Sequence, residues 1–262
     1  MISRHGLTGT FDNVVYRNSD EARREYQAID VQSAYRVTPS LTVNGQWTVQ
    51  LENHGNFEGE SANNPAVPSL VADYPEFYVA DRSFPRGRLD DFQRHKVRLW
   101  ASYTLDLERF GRFDVTPVYR YSSPRTYSLG TSVAATPQQV AANPGYARWP
   151  TSQTVYFGAR GAHEFEDISL VDLGVTYGVP VWSSVRPWVK VEVLNVLNNQ
   201  KLISWDTAVT ADMAGPKDAN GLPLNYKPGP NFGKGTSNAH YARPRQGMDG
   251  GRTFILAAGM RF

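Results

Sequence analysis

Leu41-Thr-Val-Asn-Gly-Gln-Trp-Thr-Val-Gln-Leu51 alternates from end to end. Its odd positions are Leu41, Val43, Gly45, Trp47, Val49 and Leu51, and its even positions are Thr42, Asn44, Gln46, Thr48 and Gln50. Successive side chains of a strand point to opposite faces, so this stretch has one apolar and one polar face. Wound as a helix, the same apolar residues would be scattered around the axis. The alternation runs for about eleven residues, the length of a tilted membrane strand.

The pattern recurs along the chain. Ile29, Val31, Tyr35 and Val37 alternate with Asp30, Gln32 and Arg36. Val97, Leu99, Ala101, Tyr103 and Leu105 alternate with Lys96, Arg98, Ser102, Thr104 and Asp106. Phe113, Val115, Tyr119 and Tyr121 alternate with Asp114, Thr116 and Arg120. Val171 to Val179 and Val189 to Val193 repeat it around Asp172, Gly174, Lys190 and Glu192. Phe254, Leu256, Ala258, Met260 and Phe262 close the chain, and a weaker strand is expected from Leu7 to Tyr16. That gives about eight antiparallel strands of near ten residues each.

The connections alternate too. Thr38-Pro39-Ser40, Glu108 to Gly111 and Pro180 to Ser184 are short. Asn53 to Asp90, Ser122 to Glu166 and Asn198 to Gly251 are long, polar and rich in Gly, Pro, Asn and Ser. Compact soluble domains rarely carry several such loops. Outer-membrane barrels do, with short periplasmic turns and long outer loops. The expected fold is therefore an all-β, antiparallel transmembrane barrel segment occupying residues 1–262. A soluble antiparallel sandwich is the alternative, although its strands are usually nearer five or six residues.

Composition agrees. The 262 residues carry a net charge of +2 with no basic cluster, which gives no electrostatic reason to expect nucleic acid. The chain has no cysteine, so disulfides and thiolate metal sites are excluded. The apolar run Phe254 to Ala258 is far short of the roughly 20 residues of a membrane helix. Aromatics make up 12% of residues, and Tyr and Trp favour the boundary between an apolar layer and water. Met1 to Asp20 does not read as a signal peptide, which an outer-membrane protein needs. The chain is thus expected to be part of a longer protein.

Short motifs carry a resemblance. Asn195-Val-Leu-Asn198 resembles a strand end common in TonB-dependent outer-membrane receptors, and Tyr241-Ala-Arg-Pro-Arg245 with Arg252-Thr-Phe254 resembles their final loop and strand. Ile168 to Tyr177 is similar to their penultimate hairpin. The long loops look most like the Oar-type branch, whose members carry a carboxypeptidase-regulatory-like domain ahead of the plug. The resemblance covers nearly the whole chain. It implies the last third of a barrel of about twenty-two strands, lacking the plug. It implies the wall and extracellular loops of a receptor for active uptake of a scarce nutrient, such as a siderophore, cobalamin, a glycan or a peptide. The implied partners are outer-membrane lipid, the barrel-assembly machinery, a small ligand, and TonB only through the absent plug. By the same resemblance Phe254, Leu256, Ala258, Met260 and Phe262 carry the assembly signal. The second reading is a complete small outer-membrane barrel with a structural or adhesive role.

Inward-facing residues are expected to include Lys96, Arg98, Arg120, Asp172, Lys190 and Glu192, with the small residues Ser33, Ser102, Gly174 and Gly178. Arg98, Arg120, Lys190 and Glu192 are the candidates for a substrate path, set against plain ion pairing in a polar lumen. Tyr74, Phe77, Tyr78, Tyr146, Trp149 and Tyr156 are candidates for gripping a ligand by stacking, and equally for packing the loops together. Gly229 to Thr236 only superficially suggests a phosphate loop and reads as a flexible outer loop, because Gly235 stands where Ser or Thr should bind magnesium. His163-Glu164-Phe165-Glu166-Asp167 reads as a solvated loop end whose neighbouring side chains diverge, and Asp218 to Gly221 reads as a turn. His5, His54, His95 and His240 stand singly in polar contexts. No metal, cofactor or catalytic constellation is expected.

Overall fold

A computed structural model of the chain describes residues 22–56, 58, 79–143, 151–179, 185–245, 248 and 250–261. In chain order the elements begin with β1 (Arg24–Thr38), β2 (Leu41–Gly55), α1 (Ala80–Ser83), β3 (Gly87–Arg88), β4 (His95–Asp106), β5 (Arg112–Ser122), β6 (Thr126–Tyr127) and β7 (Gly130–Ala134). They continue with α2 (Pro137–Ala141), β8 (Ser152–Tyr156), β9 (His163–Glu164), β10 (Ile168–Gly178), β11 (Arg186–Leu194), β12 (Val209–Ala211), β13 (Tyr226–Pro228) and β14 (Thr253–Arg261). The expected strand at Leu7 to Tyr16 and the turn at Pro180 to Ser184 lie outside the described residues.

The chain is mostly β, and its main sheet is an antiparallel meander in the order β1-β2-β4-β5-β10-β11-β14, with β3 paired to the end of β2. Seven long strands match the sequence alternation, and the eighth member of the sheet is the two-residue β3, which the alternation does not announce. The sheet is open: β1 and β14 lie at opposite edges and do not pair, and no closed barrel forms among the described residues. No described helix is long and apolar enough to cross a membrane, which says nothing of strands.

The short connections explain the tight hairpins. The Thr38 hydroxyl accepts from the Ser40 amide, and Arg36 donates to the Pro39 carbonyl. Between β4 and β5, Asp106 accepts from the Glu108 amide, and the turn closes at Gly111, whose φ of 95° favours glycine.

Register turns the sequence alternation into two continuous faces. Tyr35 faces Val43, and Val43 faces Ala101. Farther along the same face Pro117 opposes Leu173, Leu173 opposes Val193, and Val193 opposes Phe254. The ladder between β4 and β5 skips Ala101 and Ser102 near Pro117, a residue with no N–H to donate. This face is uncovered: Tyr35 is 66%, Phe254 65% and Leu256 76% exposed. Ser33 sits on it, opposite Gly45, and not on the polar face as expected. The polar face carries Gln32, Gln46, Arg98 and Arg120 in one row, each directly opposite the next. It also carries apolar Trp100, Val118 and Leu170, which the alternation alone does not announce.

The core lies mostly off the sheet. Leu89, Leu129, Val133, Val155, Val209, Leu222 and Ala242, all in the long connections, are buried, as is Phe92 just ahead of β4. Val133 of β7, Val155 of β8 and Leu222 pack together, with Val79 and Ala211 against them. Helix α2 opens on a capping box in which Thr136 and Gln139 satisfy each other's backbone N–H groups, with Pro137 in the first turn. The expectation of plain polar loops is thus corrected. Apolar residues sparse in sequence converge in space and build a folded cap at the long-connection end of the sheet.

Candidate functional site at the loop-side cap

Four charged candidates from the sequence share the polar face, and the structure joins them unevenly. Arg98 and Arg120 stand directly opposite each other, an arrangement that repels unless each finds other partners. Arg120 does: it donates to Asp172 and to the Pro244 carbonyl. The Arg98 side chain is exposed and makes no hydrogen bond among the described residues. Lys190 pairs with Glu192 at 2.6 Å, and Arg245 approaches the other Glu192 oxygen at 3.6 Å. The Tyr241 to Arg245 stretch therefore folds down onto the polar face, with Ala242 and Pro244 buried.

Asn195 explains the strand end in its motif. Its φ of 52° is one that Asn tolerates better than most residues, and its side chain is fully buried. Its amide donates to Asp172, its Nδ2 to the Asn199 carbonyl, and its Oδ1 accepts from the Asn199 amide. Asn199 in turn donates to the Ser169 carbonyl. β11 is thereby stopped and turned over β10.

A cleft of about 450 Å³ opens in the cap. Tyr127 stacks on Phe165 at 4.4 Å and on His163 at 5.2 Å, with Trp205 edge-on to both Tyr127 and Phe165. Arg125 lies over the Phe165 ring at 5.8 Å and makes no ion pair among the described residues. Arg160, which also lines the cleft and is almost wholly buried, donates to Glu58, the Pro85 carbonyl and the Asn56 carbonyl. Burial pushes the Glu58 carboxyl above its ordinary value, and the Asp90 charge adds to this against the pull of Arg160. Aromatic faces, a cation and two carboxylates around one opening suit a ring-bearing polar ligand, held by stacking and charge. A smaller cleft of about 290 Å³ lies between Arg82, Arg86 and Tyr156, with Arg82 anchored to Asp218 at 3.1 Å.

Of the ring candidates named from sequence, Tyr156 lines both clefts, while Tyr74, Phe77, Tyr78, Tyr146 and Trp149 lie outside the described residues. Tyr127, Phe165 and Trp205 were not foreseen, since they come from three separate stretches of chain. The His163 to Asp167 side chains do diverge: Glu164 pairs with Arg88, Asp167 with Lys201, and His163 stacks on Tyr127. The Asp167 carboxylate holds the Lys201 ammonium above its ordinary pKa. Residues 229–236 are tied back by backbone bonds, Gly229 to Ala208 and Gly233 to Asp206. The Asp218 carboxylate accepts from the Asn220 and Leu222 amides, as a turn requires. His95 accepts from Trp47 and His240 from the Thr236 amide. His54 is not solitary, because register sets it beside Glu25 and Glu52. Phe254, Leu256, Ala258 and Met260 share one exposed face of β14, and Phe262 lies outside the described residues.

No match was found. Neither protein-family profiles, nor curated proteins, nor solved structures give a relative for this chain.

Proposed function

We propose that this chain supplies barrel wall and outer loops to an outer-membrane receptor that actively takes up a scarce nutrient, as in the TonB-dependent family it resembles. The observation that carries this reading is the uncovered apolar face, continuous in register from Ile29 of β1 to Met260 of β14. In water such a face would be an aggregation surface, and a sandwich would cover it with a second sheet. Lipid satisfies it with no protein partner. Aromatics border the face at both ends: Trp47 and Tyr121 toward the cap, Phe113 and Tyr177 toward the tight turns. From His95 to Asp106 β4 spans about 36 Å at a rise of about 3.3 Å per residue, which at a tilt of about 45° crosses an apolar band about 25 Å tall. The polar face opposite, rich in charge and covered at one end by the cap, suits a lumen. Among the described residues the outer edges of β1 and β14 are unpaired, and this calls for further strands, because an open edge in lipid costs several kcal/mol per unpaired group. Energy coupling would come through a plug elsewhere in the receptor. The aromatic cleft is the place where the outer loops would first meet the nutrient.

Sidedness tests this reading. Cysteines at Val140 and Asn220, both exposed in the cap, should react with an impermeant thiol reagent on intact cells making the receptor, and one at Ser40 should not. Asn220 is preferred to Gly221, whose φ of 78° would strain a cysteine. Equal labelling at all three positions would overturn the proposal.

A further inference from the structure

We infer that Glu25, Glu52 and His54 form a binding site for a divalent transition-metal cation of the zinc class at the cap end of the β1–β2 pair. Glu25 stands directly across the ladder from His54, and Glu52 is two residues before His54 on the same strand. Cross-strand partners and i, i+2 neighbours share a face, so three donors converge. Their ligand atoms all lie within 4.8 Å of one another.

A register shift creates this convergence. Between Gln27 and Ala28 the pairing jumps from Gln50 to Glu52, which leaves Leu51 as an extra residue. Without that bulge Glu25 would face Asn53, and His54 would face Arg24. Bulges re-aim side chains in this way and recur beside functional sites.

The three side chains are otherwise uncommitted. His54 Nε2 and Glu25 Oε2 are 3.6 Å apart, too far for a good hydrogen bond. None of the three side chains makes a hydrogen bond among the described residues, and the adjacent Arg24 is paired with Asp91 at 3.1 Å. Two carboxylates gathered without a cation repel each other, and a metal ion converts that repulsion into attraction. One imidazole nitrogen and two carboxylate oxygens are a ligand set that zinc accepts, with a fourth position left for water. Magnesium and calcium favour all-oxygen shells with more ligands. The side chains of His54 and Glu25 are 41% and 56% exposed, so an ion has access. Bound there, the cation staples β1 to β2 beyond the bulge, where the ladder has just been broken.

The test is calorimetric titration of the purified full chain in detergent with zinc chloride, repeated with magnesium chloride. One zinc ion should bind per chain. Glu25→Gln, Glu52→Gln and His54→Ala should each weaken it by about tenfold or more. Zinc should raise the Tm of the unaltered chain but not of the His54→Ala variant. His163→Ala should bind as the unaltered chain does, and circular dichroism checks that each variant folds. Absence of zinc binding, zinc binding that persists when all three substitutions are combined, or magnesium binding as tight as zinc would each overturn the assignment.

Discussion

Arg120 on β5 donates to Asp172 on β10 at 2.7 Å, and the same guanidinium donates to the carbonyl of Pro244, 124 residues away in sequence. Asp172 also accepts from the Asn195 amide at 2.8 Å. One carboxylate thus ties two strands, the end of β11 and the last connection together. Both side chains are partly buried, at 30% and 14% exposure, so the pair is screened less than a surface salt bridge. Asp172→Ala should destabilise the fold by about 1–3 kcal/mol, because Arg120 and the Asn195 amide both lose an acceptor. A double-mutant cycle with Arg120→Ala in a denaturant titration should return a coupling of about 0.5 kcal/mol or more. Strict additivity would mean that the two residues act separately.

Lipid contact makes a second prediction. Val43 lies on the apolar face between Tyr35 and Ala101, while Thr42 lies on the polar face between Arg36 and Ser102. Val43→Arg should cost about 2–4 kcal/mol in a folding titration in lipid if it sits near the midplane, and Thr42→Arg clearly less. Equal costs would show that the two faces do not meet different surroundings.

The turn at Asn195 separates backbone strain from hydrogen bonding. Asn195→Ala removes the side-chain bonds to Asn199 and places a Cβ-bearing residue without that support at φ 52°. Asn195→Gly removes the same bonds but relieves the conformation. Both should destabilise, and alanine should be worse than glycine by about 1 kcal/mol, as read from melting or denaturant midpoints. A glycine variant as unstable as the alanine variant would leave the hydrogen bonds as the whole effect.

Glu58 gives the cap a pH response. Its carboxyl pKa is raised in the folded state, first by burial and then by Asp90. Between the ordinary glutamate value and the raised one, the folded state holds more protons than the unfolded state. This group's contribution therefore favours folding at the acid end and is lost as pH rises through the raised pKa. Relative to Glu58→Gln, the unaltered cap should lose protease resistance as pH climbs across that window. Asp212 has the opposite sign: the hydrogen bond from Lys227 lowers its pKa, so its contribution is lost as pH falls through the lowered value. Identical profiles for the unaltered chain and Glu58→Gln would show that Glu58 does not govern the response.

The sequence by itself determined the strands and their faces. Period-two alternation is a local property, and the tight turns at Pro39-Ser40 and Glu108 to Gly111 fix which strands are neighbours. The placement of Arg98, Arg120, Lys190 and Glu192 on one face followed from the same counting, as did the shared face of Phe254 to Met260. The inward placement expected of Ser33 followed its polarity and not its position: counting by two from Val31 to Tyr35 puts it on the apolar face, opposite Gly45, where the structure has it. Only the tertiary structure decided how the long connections fold. Val133, Val155 and Leu222 are isolated apolar residues in polar stretches, and their convergence depends on contacts between distant segments with no sequence period to betray them. The same holds for the ring cluster of Tyr127, Phe165 and Trp205, and for Arg160, which gathers Asn56, Glu58 and Pro85 from about a hundred residues upstream or less. The bulge at Leu51 lies beyond counting as well. One extra residue in a ladder leaves no mark on the alternation of either strand, yet it decides that His54 meets Glu25.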